Sequence, residues 1–391
     1  MDAFSDGVEE LQKILSLGRQ QWLLGAGVSF AANIPLMYPL TTRVKACLGQ
    51  HEAELLGEIM ADMPATAHIE HALSQLGDLI AIADRSQSKT ARIGDNSVSL
   101  ANLKQSYECV IRAIATTVRY GYRAASGGNA EAIGTPEAPL VNIDDHRNFV
   151  RALFSARANL EERSRVGFIT TNYDTLLEDA LALDQRECVD GFVGGAVAFW
   201  NSQKFDGEQV LLNRTHKVLK LHGSVDWFSD PTAGLLRVRY GATYLADLSN
   251  TLIYPQATKY VETQKDPFAK LFDCFRKTLA EQSSHVLAIV GYSFGDNHIN
   301  AEIENALRQR SNKTTVVAFS QELPDPVNAG QTKLCDTLET WRTDSVIGSR
   351  IYVASDKALY YAKGRAEPPA APLAWWTFNG VSSFLKTGVA V

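Results

Sequence analysis

The sequence predicts a doubly wound α/β fold: a largely parallel sheet with helices on both faces and a large helical insertion. Three observations predict it. Runs such as "VGFIT" (166–170), "HVLAIV" (285–290) and "TTVVAFS" (314–320) are almost wholly apolar, the habit of strands buried on both faces in parallel sheets. Helical periods follow two of them, "YDTLLEDALAL" (173–183) and "HINAEIENALRQR" (298–310), which is the alternation that such a sheet needs. Between residues 50 and about 165 strand signals stop and helical periods take over.

The elements follow in order. Val8, Leu11, Ile14 and Leu15 fall at helical spacing and Gly18 ends that helix. "QWLLGAGVSF" (21–30) is a short strand running into a glycine turn, and "IPLMYPLTTRVKACL" (34–48) passes through two prolines into a helix. Ile69, Leu73, Leu76 and Ile80 share one helical face, and "SYECVIRAIATTVRYGYRAA" (106–125) and "HRNFVRALFSARANLEER" (146–163) repeat the period. The Gly/Ala/Pro-rich segment 126–145 is a loop. Strands resume with "RVGFITT" (165–171), "GGAVAFW" (194–200), "EQVLLN" (208–213), "HKVLKLHGSVDWF" (216–228), "NTLIYP" (250–255) and the two runs at 285 and 314. The expected organisation is one domain over 1–321, with its insertion at about 46–165, and a C-terminal region over 322–391. That region lacks clear periodicity; its paired Trp375 and Trp376 suit either self-assembly or core filling.

Composition narrows the classes. A hydrophobic content of 45%, a charged fraction of 21% and a net charge of −6 describe an ordinary globular chain without a nucleic-acid-coating surface. Cys47, Cys109, Cys188, Cys274 and Cys335 are scattered, with no C-x-x-C pair. That argues against a zinc ribbon and against a disulfide framework, so no metal is expected. The acidic opening "MDAFSDGVEELQKIL" has no basic leader region, and no apolar run is long enough to span a bilayer. A soluble protein of the reducing cytoplasm is expected.

Four polar patches fall at strand ends, where open α/β sheets bind ligands. "GAGVS" (25–29) can bring backbone close to a pyrophosphate, or can simply be a tight turn; it lacks the third glycine of G-x-G-x-x-G. In "TTNYD" (170–174), Thr171, Asn172 or Asp174 can each cap the following helix, and one cap is enough. His222 closes an apolar strand beside Gly223, either as a core histidine or as an accessible base. In "VGYSFGDNHIN" (290–300), Asp296 or Asn297 caps a helix; Asp296 with His298 makes only a poor metal pair. Parallel strands would bring all four patches to one edge.

In this order "GAGVSFAANIP", "TTNYD", "LHGS" and "GYSFGDNHI" resemble the Sir2 family, over residues 20–45 and 165–320. The similarity is to the bacterial Sir2-like NAD-consuming proteins of anti-phage defence more than to deacylating sirtuins, whose two C-x-x-C pairs are missing here. The resemblance implies a Rossmann-type domain that uses NAD+ as substrate. It places the pyrophosphate on Gly25, Ala26, Gly27 and Ser29, with further cofactor contacts at Thr171, Gly291, Ser293 and Asp296. Asn172 falls on the catalytic asparagine, Asp174 on its acidic partner and His222 on the catalytic histidine.

Cleaving the nicotinamide–ribose bond passes through an oxocarbenium-like centre. A neutral asparagine can hold the ribose or a water without repelling phosphates. A histidine, with an ordinary pKa of ~6.5, suits a base at neutral pH. The expected activity is hydrolysis of NAD+ to nicotinamide and ADP-ribose by a defence effector. The resemblance also implies a homo-oligomer and a partner such as a HerA-like ATPase or an Argonaute-type protein. A non-catalytic NAD or ADP-ribose-binding module, an NAD-dependent deacylase and a nuclease subunit stand as alternatives.

Overall fold

Alternation along single strands gives the central sheet an apolar layer on each face. The computed structural model describes residues 3–390, apart from 156–164, 207–213, 231, 240–250, 254–265, 282–284, 327, 329, 362–363 and 369–372. The central sheet has nine strands. Those preceding residue 221 are β1 (Arg19–Leu24), β2 (Arg165–Thr170), β3 (Glu187–Val189) and, after β4 (Phe192–Gly194) and β5 (Val197–Trp200) of a second sheet, β6 (Thr215–Lys220). The second sheet continues with β7 (Gly223–Asp230), β8 (Gly234–Val238) and β9 (Thr251–Ile253). The chain then returns to the central sheet as β10 (Val286–Val290), β11 (Thr315–Ser320), β12 (Ile351–Ser355), β13 (Leu359–Tyr361) and β14 (Gly364–Ala366).

The central order is β14-β13-β12-β11-β10-β1-β2-β6-β3. Every pairing from β12 to β3 is parallel, and β13 and β14 add an antiparallel edge. Setting aside the short edge strand β3, the parallel strands follow the Rossmann order 3-2-1-4-5-6. The direction of winding reverses between β1 and β10. This is the mixed α/β, Rossmann-like architecture that the sequence predicts.

Trp22, Leu24, Phe168 and Val218 face one layer, made by α1 (Ala3–Leu15), the later helices α6 (Asp144–Leu153) and α7 (Leu176–Leu183), and the C-terminal helix α11 (Phe378–Thr387). Leu23, Ile169, Leu219 and Ile289 face the opposite layer, made by α8 (Phe268–Leu279), α9 (Asn297–Arg308) and α10 (Asp336–Thr343). A third core joins α2 (Met37–Cys47), α3 (Gln50–Ala61), α4 (Ile69–Arg85) and α5 (Leu100–Tyr120). Ile69, Leu73 and Leu76 are buried in it, as the helical period predicts.

The structure departs from the sequence reading in four places. "HKVLKLHGSVDWF" is not one strand. β6 ends at Lys220, Gly223 turns the chain with φ +84°, and β7 pairs antiparallel with β8 and β9 in a separate five-stranded sheet. "GGAVAFW" and the described part of "NTLIYP" join that sheet too, because their neighbours are antiparallel hairpin strands; "EQVLLN" lies outside the described residues. The helix expected over 146–163 is α6, which ends at Leu153 and packs on the sheet through Phe149 and Val150 rather than within the helical layer. Ile351–Ser355, Leu359–Tyr361 and Gly364–Ala366 are strands of the central sheet, not a separate region, and Trp375 is fully buried against Phe4 and Phe384. Their short lengths and partnered edges hide the period. Among the described residues, no helix is long and apolar enough to cross a membrane.

Candidate active site

The four patches do share an edge. Leu24 pairs in register with Val290 on one side and Thr170 on the other, and Thr170 with Lys220. The segments that leave these residues therefore start level, across β10, β1, β2 and β6.

At the point where the winding reverses, the glycines interlock. The Gly25 N–H donates to Val290 O at 3.0 Å and the Gly27 N–H to Gly291 O at 2.8 Å. A Cβ on Gly25 would lie 2.5 Å from Gly291 O, and one on Gly291, which has φ +63°, would lie 2.5 Å from Val28 N. Close backbone approach thus accounts for these glycines without any ligand. The turn itself is a four-residue 3-10 helix, Ala26–Ser29, and α2 starts only at Met37. Ala26 is exposed on the turn.

Ser29 points the other way, into the site. Its hydroxyl donates to Asp174 Oδ2 at 2.8 Å and accepts from Asn172 Nδ2 at 3.0 Å. Asp174 Oδ1 accepts from the Leu176 N–H at 3.0 Å, so this carboxylate holds both the first N–H of α7 and Ser29. The Asn172 amide oxygen is buried and has no hydrogen-bond partner among the described residues. A buried acceptor left this way costs free energy, and a hydroxyl or a water would satisfy it. Thr170, rather than Thr171, sets the loop: its hydroxyl donates to Leu24 O at 3.0 Å and accepts from the Asn172 N–H at 3.0 Å. Thr171 adds only its backbone N–H, bonded to Leu24 O at 3.2 Å.

His222 sits at the corner between the two sheets, 3% exposed, with Nε2 3.1 Å from Asp296 Oδ2. Asp296 Oδ1 accepts from the His298 and Ile299 N–H groups at 3.0 and 3.3 Å, capping α9. The cap expected of Asp296 is present, and its second oxygen does more. The bond assigns the proton to Nε2 and makes Nδ1 the basic nitrogen of the neutral ring. His298 stacks on Phe272 at 4.7 Å and reaches Glu302 at 3.4 Å, away from any pairing with Asp296. Among the described residues, no group of three or more metal-ligating side chains converges. Ser293 is exposed and accepts from the Gly295 N–H at 3.3 Å within its own turn.

Sequence reasoning passed over Lys220. It is 1% exposed, lies 3.0 Å from Glu178 Oε1, and donates to the carbonyl of Asp174. Burial works against its charge, but Glu178, Asp174 and Asp226 outweigh that and hold its pKa above the usual lysine value. Burial pushes the Glu178 carboxyl up, although Lys220 and Arg239 draw it down. A lone charge inside "VLKLHG" is the signal that could have found this pair.

Residues 166–345 match the family model of the SIR2-like domain. No curated protein matches the chain. The SIR2-like segment takes in the loops of Asn172 and His222 and the β10–α9 turn with Asp296. The glycine turn at 25–29 lies outside the match, and Ser29 joins it to the SIR2-like segment through Asn172 and Asp174.

Proposed function

We propose that the chain hydrolyses NAD+ at the nicotinamide–ribose bond, releasing nicotinamide and ADP-ribose. A SIR2-like domain implies use of NAD+. The observation that carries the finer reading is the His222–Asp296 pair, held beside the Asn172 loop at the reversal edge of a Rossmann-ordered sheet. The glycine turn does not carry it, since packing alone explains Gly25, Gly27 and Gly291.

Asn172 accepts a hydrogen bond from a ribose hydroxyl or from the attacking water through its amide oxygen, which has no partner among the described residues. Ser29 fixes that amide, and Asp174 fixes Ser29. Water bonds to C1′ as the C1′–N bond breaks and its electron pair leaves with nicotinamide. The proton of the water passes to His222, and Asp296 stabilises the imidazolium that forms. The resemblance extends the proposal to a bacterial anti-phage effector that depletes NAD+, acting as a homo-oligomer with a partner such as a HerA-like ATPase.

The test is NAD+ turnover by the purified chain, with nicotinamide and ADP-ribose quantified beside Asn172→Ala and His222→Ala. Turnover lost in both variants supports the hydrolase. NAD+ binding without turnover, in the chain alone and with its partner, would replace it by a binding module.

A further inference from the structure

Three consecutive residues of the Asn172 loop part company. Asn172 and Asp174 both meet Ser29, whereas Tyr173 between them is buried in the core of the helical layer with Leu176 and Val225. The chain bends at Tyr173 and Asp174, which separates their side chains. The Tyr173 hydroxyl donates to Glu70 Oε1 of α4 at 2.5 Å. Burial, with Glu70 beside it, holds this phenol well above its usual pKa, so it remains a donor.

The backbone of the same residue reaches the other loop. Tyr173 O accepts from the Val225 N–H at 2.9 Å and from the Ser224 hydroxyl at 3.2 Å, three and two residues beyond His222. The Val225 carbonyl in turn accepts from Arg119 Nη2 of α5 at 2.7 Å. The Asn172 loop and the start of β7, just after His222, are therefore bonded to each other, and each is bonded to a different helix of the same layer.

We infer that Tyr173 is a positioning residue through which the helical layer, by Glu70 and Arg119, sets the Asn172 loop against the His222 loop. The inference rests on the proposed hydrolase for its catalytic consequence, but the positioning has a readout of its own. Without the hydroxyl bond the tyrosine ring still fills its apolar site, but its tie to Glu70 of α4 is gone. A shift there passes directly to Asn172, Asp174 and Val225. Small misplacements cost rate more than binding, because the attack geometry is narrow.

The experiment compares Tyr173→Phe, Glu70→Ala and Glu70→Gln, the last of which keeps a neutral acceptor. Amide hydrogen exchange is measured over 170–176 and 223–226, with 286–290 as a core reference, together with kcat and KM for NAD+. Tyr173→Phe and Glu70→Ala should speed exchange in both loops and leave the reference unchanged. They should lower kcat by about tenfold with KM within about twofold, and Glu70→Gln should recover most of the rate. Unchanged loop exchange in both Tyr173→Phe and Glu70→Ala overturns the inference, as does an unchanged kcat in an active chain. A wild-type chain that fails to turn over NAD+, both alone and with its partner, sinks the hydrolase, while exchange at 170–176 and 223–226 still decides the positioning.

Discussion

One carboxylate joins the histidine loop to a helix: Asp296 Oδ2 lies 3.1 Å from His222 Nε2, while its Oδ1 caps α9 at the His298 and Ile299 N–H groups. The imidazole orientation is thus tied to the helix that follows β10, and the β10 end is itself interlocked with the glycine turn through Gly27 and Gly291. The placement of the His222 ring depends on strands from both halves of the sheet.

Asp296→Asn separates the two tasks. Asparagine caps helices as well as aspartate does, so thermal stability should fall by no more than about 1 kcal/mol. The neutral amide cannot stabilise an imidazolium and can hold the wrong tautomer, so turnover should fall by about 10²–10⁴. Melting curves and NAD+ turnover on one preparation check both halves. Wild-type turnover in this variant would remove the pair from the chemistry.

Gly291→Ala addresses the interlock. A Cβ there meets Val28 N at 2.5 Å on a backbone with φ +63°, and a strained left-handed position with displaced backbone costs about 2–4 kcal/mol. Gly57 in α3 is the control, because a Cβ there meets nothing within 4 Å. Gly57→Ala should stabilise by about 0.5–1 kcal/mol. Denaturant midpoints that move alike in the two variants would count against the interlock.

Lys220→Met leaves Glu178 buried without its cation and should cost about 3–5 kcal/mol. Adding Glu178→Leu removes the stranded charge, so most of that stability should return. Activity should not return, because the Asp174 carbonyl still lacks the Lys220 donor. Urea unfolding and NAD+ turnover across this double-mutant cycle measure the two effects separately. Recovery of turnover along with stability would show that Lys220 only satisfies Glu178.

What could be read in advance was whatever is local. The apolar runs at 166, 285 and 314 became parallel strands, and the four polar patches came to one edge because Leu24, Val290, Thr170 and Lys220 fall in register. What failed was pairing. "LKLHGSVDW" shows unbroken strand chemistry, and only the φ of Gly223 splits it between two sheets. The β12–β14 edge rests on strands as short as three residues, Leu359–Tyr361 and Gly364–Ala366, and these carry almost no period. Long-range partners were invisible for the same reason. Nothing near Asp296 in the sequence points to His222, and nothing near Tyr173 points to Glu70.

Acid should weaken the fold through a histidine remote from the proposed chemistry. His216 on β6 is fully buried, with Nδ1 2.9 Å from Val166 O and Nε2 3.3 Å from Arg186 Nη1. The carbonyl takes the Nδ1 proton and the guanidinium faces the Nε2 lone pair, so the ring fits only as the neutral form. Burial lowers its pKa from 6.5 to about 4, the Val166 carbonyl opposing and Arg186 assisting. Between those values the unfolded chain binds a proton that the fold refuses, so stability rises with pH across the window and is lost as pH falls through it. One such group contributes a slope of at most about 1.4 kcal/mol per pH unit. His68, also lowered to about 4 by burial and by His71, acts in the same direction, although it is only half-buried and solvent screens it. Urea midpoints at pH 7 and pH 5 should therefore differ more for the wild type than for His216→Gln, whose amide can still donate to Val166 O. Equal differences would place the acid sensitivity elsewhere.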